Sequence, residues 1–248
     1  MGIEQSRGAE RPAGGPGSAT AAGVTMQILS TEHWSLLATR SLGYTDIYSR
    51  ANMFFSVLSG AVIALALIAQ AGHFGETFTV AAILLLGIVV FVGQTTLVRI
   101  GRLNMEDSLW VTGMNRIRHA YLELHPELKD YFVTSQYDDM RGVMTTLGIS
   151  SASEPGQHML ADLGHFVTIV PGMVMIIVAV VAGAWGAIVS VALGASQPFA
   201  IAVGAAFFLL TVVANIITGR RRIRGDRRAV HGWSFRREPR FPSPPEVK

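Results

Sequence analysis

Apolar positions along this chain follow two rhythms. From Phe78 to Gly93 the run Phe-Thr-Val-Ala-Ala-Ile-Leu-Leu-Leu-Gly-Ile-Val-Val-Phe-Val-Gly is apolar on every face. Such a stretch suits hydrocarbon, and it approaches the roughly 20 residues that a bilayer core requires. From Ile100 onward the pattern changes. Leu103, Trp110, Met114, Ile117, Tyr121 and Leu124 follow at steps of three, four or seven, with Arg102, Glu106, Asp107, Arg116, Arg118 and Glu123 between them. That is a heptad stripe on a solvated helix. No proline interrupts the run before Pro126. The spacing predicts one long helix that crosses a membrane and continues into the cytoplasm. Its stripe, Trp110, Met114, Ile117, Tyr121 and Leu124, is expected to be an oligomer seam, with the chain's own Leu128 to Tyr137 segment as the alternative cover.

The same reading predicts three further spans: about Met53 to Ala71, about Phe166 to Val189, and Pro198 to about Thr218. The connections Gly72 to Thr77 and Gly194 to Gln197 are too short for anything but tight antiparallel turns. The fold class is therefore all-α: an integral membrane protein with four transmembrane helices in two hairpins and a helical cytoplasmic layer. Thr31 to Arg40 reads as a separate short helix, capped by Thr31 and stopped by Gly43. Pro126 suits the first turn of a new helix, so Glu127 to Met140 is expected to form one or two short helices. In domain terms, 1–30 is a disordered segment, since Met1 to Thr25 is rich in Gly, Ala, Pro and Ser. Residues 31–219 form the four-span domain, with a cytoplasmic helical insertion at about 99–163. Residues 220–248 are a basic, proline-containing cytoplasmic tail, extended and flexible over Pro239 to Pro245.

Composition sharpens this picture. Half of the 248 residues are hydrophobic and 15% are charged, where soluble domains carry nearer a quarter charged. There is no cysteine, which excludes disulfides and thiolate metal sites. The formal net charge of +3 is unevenly spread: from Arg220 onward there are 10 basic and 3 acidic residues, so the tail is near +7 and the remainder near −4. The two short turns contain no Lys or Arg. The positive-inside rule then places both termini in the cytoplasm, with the chain in the plasma (inner) membrane. Arg220, Arg221, Arg222, Arg224, Arg227 and Arg228 directly follow a span, so their expected partner is anionic lipid of the inner leaflet and not nucleic acid. No Asp, Glu, Lys or Arg falls within the spans, which speaks against ion-coupled transport through intramembrane charges. Small residues recur four apart at Ser56, Gly60 and Ala64, at Ala179, Gly183 and Ala187, and at Ala200 and Gly204. Such spacing lets helix backbones approach closely.

Candidate chemistry is sparse. Asn52, Gln94, Thr168, His165 and Asn215 all fall at the cytoplasmic ends of the spans, as a natural polar boundary or as a pore-facing ring. His158, Asp162 and His165 are spaced four and three apart, so on a helix begun at Pro155 they share one face that continues to Thr168. The plain reading is a solvated helix entry. A cation-attracting vestibule is the second reading, and a divalent metal on His158, Asp162 and His165 the outlying one. Asp138 and Asp139 suit a turn or helix cap better than a metal. No phosphate loop, nucleophile elbow or zinc-protease motif occurs, and no cofactor is expected. A homo-oligomeric channel or pore-like protein is the first functional expectation. A non-catalytic scaffold or signalling subunit that docks partners on its cytoplasmic helices is the alternative, and a metal-dependent membrane enzyme the second alternative.

Overall fold

The computed structural model describes residues 16–72, 74–148, 170–225 and 239–244, with side chains left undescribed at 16–20 and 222–225. All its described secondary structure is helical. The helices are α1 (Pro16–Gly72), α2 (Glu76–Leu124), α3 (Met140–Thr146), α4 (Val170–Ala192) and α5 (Gln197–Gly225), with a 3-10 turn at Pro126–Tyr131. Four of them, α1, α2, α4 and α5, are long and apolar enough to cross a membrane.

Two helices are far longer than a span requires. α1 has 57 residues and α2 has 49, which at 1.5 Å per residue gives about 85 and 73 Å against a hydrocarbon core of about 30 Å. The excess forms a polar half, in which α1 and α2 run antiparallel. Ile47 meets Ile100 and Leu103 in one apolar cluster. Further from the turn, Arg40 pairs with Asp107 at 2.6 Å, and His33 lies beside Tyr121.

Two expectations are corrected here. The short helix from Thr31 to Arg40 is not separate: α1 is continuous through Gly43. That glycine allows close approach instead of ending the helix, because a Cβ there would lie 2.8 Å from the Trp110 ring. The disordered segment expected over 1–30 does not hold from Pro16 onward, where α1 begins. Pro16 suits a first helical position, and Ala19, Ala21 and Ala22 favour the helix. The helix that carries the span expected to end near Thr218 runs on to Gly225.

The apolar half is organised around α4, which packs on both α2 and α5. Within its most apolar window 44% of residues are buried, against 11% for α5, so α4 is central and α5 peripheral. The core joins Phe54 of α1, Leu86 and Val89 of α2, and Val174, Val178 and Val181 of α4. Contact is closest where side chains are absent. A Cβ on Gly183 would lie 2.9 Å from the Gly204 carbonyl oxygen, and the converse holds for Gly204. A Cβ on Gly93 would overlap Val178 and crowd Phe54. The Trp185 indole N–H donates to the Ile83 carbonyl at 2.9 Å, tying α4 to α2. Among the described residues nothing lies within 4 Å of a Cβ on Gly60, so the stripe of Ser56, Gly60 and Ala64 brings no described helix of this chain into close approach there.

The turn after α4 closes as a Schellman motif. Ala195 N–H donates to Ser190 O at 3.0 Å and Gly194 N–H to Val191 O at 2.9 Å. Gly194 takes the left-handed φ of +85° that this geometry demands.

Candidate docking site on the polar half

The stripe on α2 is covered within the chain. Met114 and Ile117 are 4% and 6% exposed, and Leu36 of α1 lies over Gly113. Trp110 fills the notch at Gly43, and Tyr121 stands between His33 and Phe132. Only Leu124, 40% exposed, lacks such cover. Met114 and Ile117 are thus buried within the chain itself, and α1 reaches the stripe at Trp110, Gly113 and Tyr121. Ending the Thr31 to Arg40 helix at Gly43 hid α1 as a partner for Trp110 and Tyr121.

On another face of the same helix, polar residues build a platform. Asn115 is fully buried. Its Nδ2 donates to Tyr137 O at 2.7 Å, and its Oδ1 accepts from Arg118 Nη1 at 2.7 Å and Thr146 Oγ1 at 3.0 Å. One side chain thus joins α2, the loop before α3, and α3 itself. Asp139 caps α3, accepting from Gly142 N–H at 2.8 Å. Gly142 is held against Tyr137 so closely that a Cβ would collide with its carbonyl oxygen. Arg116 pairs at 2.6 Å with Asp138, whose side chain is wholly buried.

The C-terminal segment 239–244 lies on this platform, so the flexible tail expected there is corrected for these residues. The two adjacent carboxylates hold it. Asp138 accepts from Phe241 N–H at 2.8 Å and Arg240 N–H at 3.0 Å, and its own N–H donates to Phe241 O at 3.1 Å. Asp139 accepts from Ser243 N–H and from Ser243 Oγ, both at 2.9 Å. The Phe241 ring stacks on His119 with centroids 3.8 Å apart, and Arg141 reaches Pro244 O at 3.4 Å. Burial opposes charge on Asp138, but Phe241 N–H, Arg116 and Arg240 N–H outweigh it and hold the carboxyl below its ordinary range. Asp139 is likewise held low: burial raises it first, and the N–H groups of Gly142 and Ser243 with the Ser243 hydroxyl prevail over that and over Asp138. An adjacent Asp pair was legible in the sequence; its partner a hundred residues away was not.

Deeper in the α1–α2 interface, burial and then Arg118 push the His33 imidazole down, leaving it neutral near pH 7. Burial, and next Arg40, lower Arg118.

The other expected site residues separate. Asn215 Nδ2 donates to Gln94 Oε1 at 3.3 Å, so these two do meet across α5 and α2. Asn52 is exposed on α1 and makes no side-chain hydrogen bond among the described residues. His158, Asp162, His165 and Thr168 lie outside the described residues. Among those described, no three His, Cys, Asp or Glu side chains converge as metal ligands. Arg220 and Arg221 are exposed near the end of α5, the side chains of Arg222 and Arg224 are not described, and Arg227 and Arg228 lie outside.

No family model, curated protein or solved structure matches this chain.

Proposed function

We propose that this protein is a non-catalytic membrane docking subunit. In this reading the four apolar helices cross the plasma membrane as two hairpins, with both termini cytoplasmic. The polar halves of α1 and α2 then stand in the cytoplasm as a platform for partners, and the arginines after α5 rest on anionic lipid. The observation that carries the reading is the segment 239–244 bound on that platform through two carboxylates and a ring stack. A surface that holds an extended segment mainly by its backbone is built for peptide recognition. The long α1–α2 pair, clamped by Arg40 and Asp107, gives it a stiff support.

The homo-oligomeric channel is a second reading, favoured by the polar pair Gln94 and Asn215 at the end of the apolar half. Planar-bilayer recording of the purified, reconstituted chain separates the two. The docking reading expects no unitary currents. Reproducible single-channel steps, altered by Asn215→Leu, would overturn it in favour of a channel. Topology is tested in the same cysteine-free background: Gly75→Cys and Ser196→Cys should react with an impermeant maleimide from outside, and Ser135→Cys should not.

A further inference from the structure

The bound C-terminal segment is held as a ligand is held. Of residues 239–244 only Phe241 and Ser243 are half-buried, while Pro239, Arg240, Pro242 and Pro244 are exposed. Backbone N–H groups at Arg240, Phe241 and Ser243 meet the two carboxylates whatever their side chains are. Pro242 has no N–H, and it falls at the one position among these four where none is used. Its fixed φ also reduces the ordering that binding requires. Side-chain identity enters twice, at positions two apart: the Phe241 ring on His119 and the Ser243 hydroxyl on Asp139.

We propose that the groove formed by His119, Asp138 and Asp139 recognises extended peptides carrying an aromatic residue, a proline and an unmodified serine in succession. Arg240 to Ser243 is its resident ligand, displaced by a partner protein that presents the same pattern. The inference rests on the docking reading above and names its ligand class. The hydroxyl requirement follows from charge. Ser243 Oγ donates its proton to a carboxylate, with a second carboxylate one residue away. A phosphoserine, carrying about −1.5 to −2 charges, has no proton to give in its dianionic form and is repelled by both. The resident segment is tethered, so it competes at a high effective concentration, and the site opens when that segment is weakened.

The test uses the full chain in lipid nanodiscs and a fluorescent synthetic peptide of residues 236–248, read by anisotropy. Phe241→Pro with Ser243→Pro removes both side-chain contacts and two of the three N–H donors, and so empties the groove in the full chain. That variant should bind the peptide at least about tenfold more tightly than the unaltered chain, whose groove is filled. Adding His119→Ala should weaken binding about tenfold, and Asp139→Asn should weaken it further. Because Asp139 also caps α3, the His119 variant keeps the test readable if the Asp139 variant misfolds. The phosphoserine peptide should not bind. Equal binding to the filled and emptied chains, or equal binding of the phosphorylated and plain peptides, would overturn the proposal.

A chain bearing Arg141→Cys and Pro244→Cys, treated with a bis-maleimide, should yield a cross-linked monomer that excess peptide suppresses. A covalent dimer would show that the resident segment comes from a second copy, and would overturn its assignment as a ligand in cis. Failed peptide binding without unitary currents sinks this inference alone. Unitary currents with intact peptide binding sink the docking role and leave the groove.

Discussion

In the apolar half, helices meet where side chains are missing. In the polar half hydrogen-bonding side chains join them as well. Gly183 and Gly204 let two backbones touch, and Gly93 makes room for Val178 and Phe54. Among the described residues nothing ionic takes part, because an uncompensated charge among apolar groups would cost several kcal/mol. In the polar half Asn115, Arg116, Asp138 and Asp139 join segments distant in sequence. There water competes for every polar group, so a bond adds stability only once its partners are screened from solvent. The glycines of the two halves differ accordingly. Gly183 is replaceable by nothing larger because a helix lies against it. Gly142 is constrained by the carbonyl of its own loop.

Four perturbations separate the halves. Replacing Met114 and Ile117 together by Asp should have the largest effect, on the order of 5 kcal/mol or more, since it removes two buried apolar side chains and buries two charges. We expect α1 to detach from α2 in the polar half, seen as fast amide exchange over both segments, with the particle mass in mild detergent unchanged. A halved mass by light scattering would restore the stripe to a role between subunits.

Next, Asn115→Ala should cost about 3 kcal/mol, because three partners lose a buried bond. Exchange should rise in residues 137–146 and leave α4 and α5 untouched; protection lost equally in α4 would mean that the halves unfold as one.

Gly183→Val should cost about 1–3 kcal/mol by forcing α4 and α5 apart. Gly60→Val should fall within about 0.5 kcal/mol, as a surface change does. Thermal unfolding in detergent measures both, and equal losses would mean that small-residue spacing alone, not contact, sets the packing.

The smallest effect is that of pH. The carboxyls of Asp138 and Asp139 are depressed when the tail is docked. Their contribution is therefore full above the ordinary carboxylate value, about 3.9. It is lost as pH falls through their lower docked values. Binding of the fluorescent peptide to the emptied chain, read by anisotropy at neutral pH and after equilibration below about pH 4, should be lost at the lower pH. Binding unchanged at the lower pH would mean that the carboxylate charges do not hold the segment.

The amino-acid order alone makes legible the four long apolar helices, their tight connections, the all-helical class and the amphipathic stripe on α2. Those follow from composition and periodicity, which act locally. It also showed Asp139 as a plausible cap and Gly183 with Gly204 as places of close approach. Tertiary structure alone decided that Gly43 receives the Trp110 ring instead of ending a helix, because a glycine in a helix permits either outcome until a partner arrives. It also decided that Met114 and Ile117 are buried within the chain. Above all it decided that Asp138 and Asp139 hold Phe241 and Ser243. A carboxylate's partner is any N–H within reach, and reach is a property of the folded chain; nothing in the spacing of residues 138 and 241 could have brought them together.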